Sequence, residues 1–287
     1  MIIFDLFVDL TIKITIIIII GLLSYYARFL DFKGVIAGII IGLPVIVFGG
    51  YSWFLILFSF LLVGSVASHI SSKCGKYSNC NSEKYLRSWK NVIANGIWPM
   101  LAALLLPFTQ CSDHIWLNYN ILLIFYVSSI TTMLSDTIAT ETGLLSPEEP
   151  RLIHKPCIKV TKGVSGGVTI AGTLFSFITS VVYAVFSYLI LHSTTHNSLT
   201  IKSIVFIPTV SLASFTGCLL DSLIGGILQP KYRCIDDEKI VENVLECKNG
   251  AILISGCKFI DNHIVNFIAS LLGGLISIVI YILLQNI

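Results

Sequence analysis

Two apolar stretches of this chain carry acidic residues where hydrocarbon would be expected. SDTIATETG holds Asp136 and Glu141, and GCLLDSLIGGILQ holds Asp221 with Ser222 and Gln229. An ionisable group inside a membrane span costs several kcal/mol unless it is paired, binds an ion or lines a polar cavity, so each needs a chemical reason. At about 100° per residue, Asp136 shares a helix face with Thr140 and Glu141 shares the next face with Thr137. The two carboxylates then diverge by about 140° and can flank one cleft. A buried acid pair is costly without a cation, and Mg2+ takes a few carboxylates together with phosphate oxygens. Asp136, Glu141 and Asp221 are therefore the candidate metal ligands.

A second kind of chemistry is written in KVTKGVSGGVT, where Lys159, Lys162, Gly163, Ser165, Gly166 and Gly167 precede Thr169 and Thr173. A glycine-rich turn feeding a helix presents free backbone N–H groups, and neighbouring lysines add positive charge, which suits phosphate. Amides accompany it: Asn91 and Asn95 in NVIANG, then Asp261, Asn262, His263 and Asn266 in DNHIVNF. Plainer roles compete, since Asn91, Asn95 and Ser165 could cap or glue helices. His69 and His154 read as interfacial residues, and Asp236 to Lys239 as a solvated run.

The elements that must position these groups follow from composition. Of 287 residues, 55% are hydrophobic and 12% charged, against about 25% charged in a soluble domain, so the chain belongs in a bilayer. Apolar runs at 12–30, 34–49, 53–70, 90–107, 121–144, 166–191, 203–229 and 264–284 predict an all-α, polytopic helical bundle of about eight spans. It forms one integral membrane domain over 1–287. The first span lacks a basic n-region and is read as retained.

Alternate connectors hold Arg28 and Lys33; Lys73, Lys76, Lys84, Arg87 and Lys90; Arg151, Lys155, Lys159 and Lys162; and Lys231, Arg233, Lys239, Lys248 and Lys258. The opposite side has only Lys13 and Lys202, a split of 16 to 2 among the 18 basic residues. The positive-inside rule then makes the loops near 71–89, 145–165 and 230–262 cytosolic and points both termini away from the cytosol. All five segments with polar groups place them at this basic side.

Cys74, Cys80, Cys157, Cys234, Cys247 and Cys257 share the basic, reducing side, Cys218 lies in a span and Cys111 stands alone opposite, so no structural disulfide is expected. A zinc site from Cys234, Cys247 and Cys257 would need spacings unlike compact zinc modules. A net charge of +2 gives nucleic acid no basic face.

These motifs together resemble the family of transmembrane protein 19 and the plant phytyl-phosphate kinase. The family's DTxASExG pattern reads here as Asp136, Thr137, Ala139, Thr140, Glu141 and Gly143, and GTNGGV as Gly163, Val164, Ser165, Gly166, Gly167 and Val168. Val164 and Ser165 depart from that second pattern. DSLxGxxxQ is intact from Asp221 and Ser222 to Gln229, and NNxVN reads as Asn262, His263, Val265 and Asn266. A shorter likeness is to the nucleotide-binding region of CTP-dependent dolichol and phytol kinases.

The resemblance implies phosphoryl transfer from CTP or another nucleoside triphosphate, with Mg2+, to a bilayer-held isoprenyl monophosphate. It assigns Asp136, Glu141 and Asp221 to the metal, and Lys159, Lys162 and the Gly163–Gly167 turn to phosphates. Asn262 and Asn266 would orient the acceptor, with Asn95, Ser222 and Gln229 completing the nucleotide region. The alternatives are a CTP-dependent lipid-phosphate cytidylyltransferase, a transport protein and a non-catalytic protein. Isoleucine-, asparagine- and lysine-rich usage favours the endoplasmic reticulum over a plastid envelope or prokaryotic plasma membrane, and a homo-oligomer is compatible with the sequence.

Overall fold

Short polar side chains and one glycine set the helix boundaries. In the computed structural model, which describes residues 2–74, 86–110, 118–194, 201–235, 240–242, 244, 247 and 249–285, Asp31 caps α2 (Phe32–Pro44) by accepting from Gly34 N. Asn118 caps α5 (Tyr119–Leu145) and Asp261 caps α8 (Asn262–Leu284) in the same way. The other helices are α1 (Ile2–Tyr26), α3 (Gly50–Cys74), α4 (Trp89–Leu105), α6 (Ile170–Thr194) and α7 (Ser203–Leu228), with a π-helical turn at Val45–Gly49 and a 3-10 turn at Leu106–Gln110.

Seven helical stretches among the described residues are long and apolar enough to cross a membrane, and one, Phe32–Lys73, runs for 42 residues. At 1.5 Å per residue that is about 63 Å, twice the ~30 Å hydrocarbon thickness. The chain reverses within it at Gly50, whose φ of +79° belongs to glycine. Phe54 returns to Gly42, and Arg87 touches both Leu30 ahead of α2 and Gly64 well along α3. The stretch is therefore two antiparallel spans, which brings the count among the described residues to the eight that the hydropathy predicts.

α5 runs through the middle, touching α3, α4, α6, α7 and α8. Its inner faces carry buried Ser128, Ser129, Thr131, Thr132 and Ser135, which lets backbones approach closely. A Cβ on Gly273 of α8 would stand 2.1 Å from Thr132 Oγ1, and one on Gly217 of α7 3.1 Å from Gly273 Cα. Hydrogen bonds from Ser214 Oγ to Ser128 O at 3.2 Å and between the Ser135 and Ser180 hydroxyls at 2.8 Å tie α7 and α6 to α5. Leu22, Leu23, Ile40, Val182, Leu189 and Leu283 stay exposed on the outer helices, as lipid-facing residues must.

The connectors after α5 and α7 are not plain loops. The first forms an antiparallel sheet, β2-β1-β3, from β1 (Arg151–Leu152), β2 (Lys155–Lys159) and β3 (Gly167–Val168), and the second forms β5-β4-β6 from β4 (Lys231–Cys234), β5 (Ile240–Val241) and β6 (Ala251–Ser255). The predicted start of the sixth span at 166 is thus corrected, because Gly167 and Val168 pair with β1 and the helix begins at Ile170. The expectation of no disulfide is also overturned: Cys234, at the end of β4, and Cys247 have a Cα separation of 5.3 Å, and they are bonded. Cys257 is free and exposed, so the three cysteines form no zinc site. Cys80, Cys111 and the run from Asp236 to Lys239 lie outside the described residues.

Candidate functional site

The acidic pair forms where α5 and α7 meet near the basic face. Asp136 and Asp221 lie close enough to act on each other through space, with Cys218 beside both, and Asp221 is only 7% exposed. Among the described residues no lysine, arginine or histidine makes an ion pair with either. Buried Asn266 of α8 joins them. Its best-satisfied amide orientation donates to Asp221 Oδ2 at 3.3 Å and to the backbone carbonyl of Asn262 at 2.9 Å. The Asn95 side chain of α4 stands 3.3 Å from Asn266 and bonds Asn91 at 3.3 Å. Asn262 itself is exposed and contributes that carbonyl rather than its side chain.

The glycine-rich turn abuts the same end of α7. Gly163 and Gly166 have φ of +91° and +79°, and a Cβ on Gly166 would lie 2.2 Å from Gly226 Cα and 3.0 Å from the Ser222 carbonyl oxygen. Ser165 packs against Gly225, where an added Cβ would be 3.3 Å from its own. Gly225 is four residues beyond Asp221 and on its face, so the turn sits about 6 Å along α7 from the carboxylates. Buried Gln229 folds its Oε1 back over Gly225. The Ser165 N–H donates to the Glu242 carboxylate, so an anionic oxygen occupies the position suited to phosphate.

Glu141 does not join the acidic pair. The 140° divergence along α5 turns it to α3, where it accepts from Ser68 Oγ at 2.6 Å, and among the described residues no three metal-ligating side chains cluster. The candidate metal ligands are therefore Asp136 and Asp221. Two facing carboxylates beside amide oxygens still suit Mg2+, which takes one or two carboxylates and leaves its other positions to water and phosphate.

The lysines are also redistributed. Lys162 Nζ donates to Leu144 O at 3.0 Å and to Ser146 O, capping the negative end of α5. Lys159 lies on an exposed strand, paired with Glu149 at 2.8 Å.

A family model described as Integral membrane protein DUF92 matches residues 15–274. The chain belongs to this family. An uncharacterised membrane protein of Methanocaldococcus jannaschii, MJ0933, is 31% identical over 274 residues, covering 96% of this chain and 95% of the relative. Protein PGR of Arabidopsis thaliana is 28% identical over 272 residues, with 88% and 90% covered, and an uncharacterised Synechocystis membrane protein, sll0875, is 28% identical over 201, with 69% and 72% covered. No solved structure matches the chain. DUF92 membership agrees with the resemblance carried by the Asp136, Asp221 and Asn266 motifs.

Three residues of this DUF92 protein escaped the sequence. Arg87 counts there only as a basic loop residue, yet its guanidinium turns inward over the Phe60 ring, 5.2 Å from the centroid. Burial pulls its pKa down to about 10 while Glu141 pulls it up, and it stays charged at neutral pH. Lys231, 3% exposed, caps α7 by donating to Gly226 O at 2.6 Å. Glu242 reaches the glycine turn from a different connector. Polar type alone signalled each of them, and nothing in the spacing said which way they face.

His154, in the β1–β2 turn, sits over Gly226 with Nδ1 shielded and without a hydrogen-bond partner among the described residues. Burial, then Lys155 and Lys231, lower its pKa. A depressed histidine adds stability that is present above the unfolded pKa of about 6.5 and is lost as pH falls through the folded value. Melting curves of His154→Gln are expected to show less loss of stability between about pH 7 and 5 than wild type. Equal slopes would contradict an imidazole that its surroundings hold neutral.

Proposed function

We propose that this DUF92 protein is a membrane-embedded kinase that moves the terminal phosphoryl group of CTP or another nucleoside triphosphate onto an isoprenyl monophosphate, giving the diphosphate. The observation that carries this reading is the pairing of half-buried Asp136 with buried Asp221, one helical turn from the Gly163–Gly167 turn. Transport is the weaker reading, because the outer halves of the spans are almost purely apolar, as in ITIIIIIGLL, and the Asp9–Lys13 pair is confined to the outer end of α1.

Mg2+, held by Asp136 and Asp221, would neutralise phosphate charge as the terminal group moves. The protein itself aligns and insulates the reactants. The turn offers backbone N–H groups at Ser165 and its neighbours to donor phosphate oxygens, and Glu242 would have to yield that position. Asn266 and Asn95 hold the acceptor side, and Lys162 and Lys231 fix the ends of α5 and α7. An acceptor phosphate oxygen attacks the terminal phosphorus, the bond to the β–γ bridging oxygen breaks, and the nucleoside diphosphate leaves with that electron pair. No general base is needed, since the acceptor oxygen is already an anion.

Purified protein with Mg2+, CTP or ATP, and phytyl, farnesyl or geranylgeranyl monophosphate is expected to yield the lipid diphosphate on thin-layer chromatography. No diphosphate from any pair would refute the kinase, and a CDP-lipid would establish the cytidylyltransferase instead.

The kinase reading also requires the basic face to meet cytosolic nucleotide, with both termini on the far side. The Cys234–Cys247 bond lies on that same basic face, whereas cytosolic thiols are kept reduced. Orientation therefore has its own test in a membrane bordering the secretory lumen. A glycosylation acceptor near residue 196 is expected to be modified and ones near 80 or 240 to stay bare, and the reverse pattern would place the site on the wrong side for nucleotide.

A further inference from the structure

Outside the carboxylate cluster, α1, α2, α3 and α4 line a partly open cavity of about 90 Å³. Its walls are aliphatic and aromatic, with Ile17, Ile39, Phe54 and Leu57 among them. Its polar lining residues, Ser24, Arg87, Asn91 and Asn95, all come from the end of α1, the first half of α4 and the short segment leading into it, at the basic face. From Gly64, level with Arg87, ten residues of α3 lead down to Phe54, a depth of about 15 Å. This is the shape of a site with one charged end and one long apolar arm.

Arg87 is built into the mouth. Its backbone is fixed on the residues before α2, with Arg87 N donating to Phe29 O at 3.1 Å and Asp31 N to Arg87 O at 3.3 Å. Its guanidinium is seated by packing, over Phe60 and against Gly64, where a Cβ would stand 2.3 Å from Nη2. Among the described residues it forms no ion pair, Glu141 acting on it only through space, so its rigid fork of N–H donors remains for an anion. Asn95 links cavity to cluster, since it lines the cavity and stands 3.3 Å from Asn266, the neighbour of Asp221.

We infer that this cavity binds a single-chain lipid phosphomonoester, its tail between α1, α2 and α3 and its phosphate at Arg87 and Asn91, beside the Asp221 cluster. One cation at the mouth matches one monoester head group, and one arm among four helices matches one tail. The inference rests on the kinase reading for the fate of the phosphate but not for its binding.

The structure supplies a variant that fills the arm. Gly38 lines the cavity, and a Cβ there would meet only Leu30 Cδ1, at 3.7 Å, so Gly38→Leu grows into open space without striking backbone. The full chain in nanodiscs, without nucleotide or Mg2+, is titrated with tritiated geranylgeranyl monophosphate, and dimethylallyl monophosphate, inorganic phosphate and phosphatidic acid serve as competitors. Arg87→Gln is expected to weaken both prenyl phosphates about tenfold or more. Gly38→Leu is expected to weaken the twenty-carbon ligand about tenfold and leave the five-carbon one within about twofold.

Unchanged twenty-carbon affinity in both variants would overturn the site. Phosphatidic acid competing as well as geranylgeranyl monophosphate would make it a phospholipid site, and inorganic phosphate competing equally would remove the role of the tail. Should Arg87→Gln fail to fold, Arg87→Lys and Gly38→Leu still decide. Binding that follows this pattern without turnover would remove the kinase and keep the site, whereas turnover indifferent to both variants would do the opposite.

Discussion

Asp221→Asn is expected to lower kcat by at least about 100-fold while leaving the protein folded and no easier to melt. The substitution keeps the shape of the side chain and its bond to Asn266, so packing between α7 and α8 is preserved. What disappears is one of two carboxylates, Asp221 buried and Asp136 half-buried, that have no cationic side chain paired with them among the described residues. Relieving two like charges in a low-dielectric interface favours the folded state, even as it removes a ligand on which transfer depends. Asp136→Asn should behave alike. A readout independent of turnover is the effect of Mg2+ on melting: an ion bound only by the folded protein raises the midpoint of wild type, and either substitution should erase that rise. Retained activity, or an undiminished Mg2+ effect, would remove these residues from the metal site.

Gly166→Ala is expected to have the next largest effect. The residue sits at φ +79°, and its Cβ would lie 2.2 Å from Gly226 Cα, a backbone atom that cannot rotate aside. Left-handed strain and overpacking together cost about 2 to 5 kcal/mol, concentrated where the turn leans on α7. Because a connector can detach while the bundle stays folded, the loss should appear as a nucleotide KM raised about tenfold or more and as faster amide exchange around the turn. Gly163 makes a sharp comparison. It has φ +91° but open space around its missing Cβ, so Gly163→Ala should incur only the backbone strain of about 1 to 2 kcal/mol. Equal behaviour of the two variants would show that the turn does not depend on its contact with Gly226.

The bundle was legible because bilayer thickness, apolar length and the placement of lysines and arginines are one-dimensional properties of a chain. Even the reversal at Gly50 leaves a trace, since no span can be 42 residues long. Asp136, Asp221, Asn95 and Asn266 were legible as polar residues at one depth, and they meet. Glu141 shares that depth but faces α3, because depth comes from position in a span and facing depends on how helices pack. Lys159 and Lys162 flank a glycine turn, a pattern that fits a phosphate ligand and a helix cap equally well; the ends of α5 and of β2 decide between them. Arg87 was hidden by its own usefulness as a topology marker. The Cys234–Cys247 bond was hidden because closing a 13-residue separation depends on strands that the sequence did not announce.

The most direct measurement of the central claim is where the label goes when the protein, Mg2+ and an isoprenyl monophosphate are incubated with CTP carrying radioactive phosphorus at either the γ or the α position. The predicted result is γ-label on the lipid, none from the α position, and release of CDP, all lost in Asp221→Asn. Label reaching the lipid from the α position, or from neither position with CTP and likewise none from γ-labelled ATP, would contradict phosphoryl transfer by the Asp136–Asp221 site.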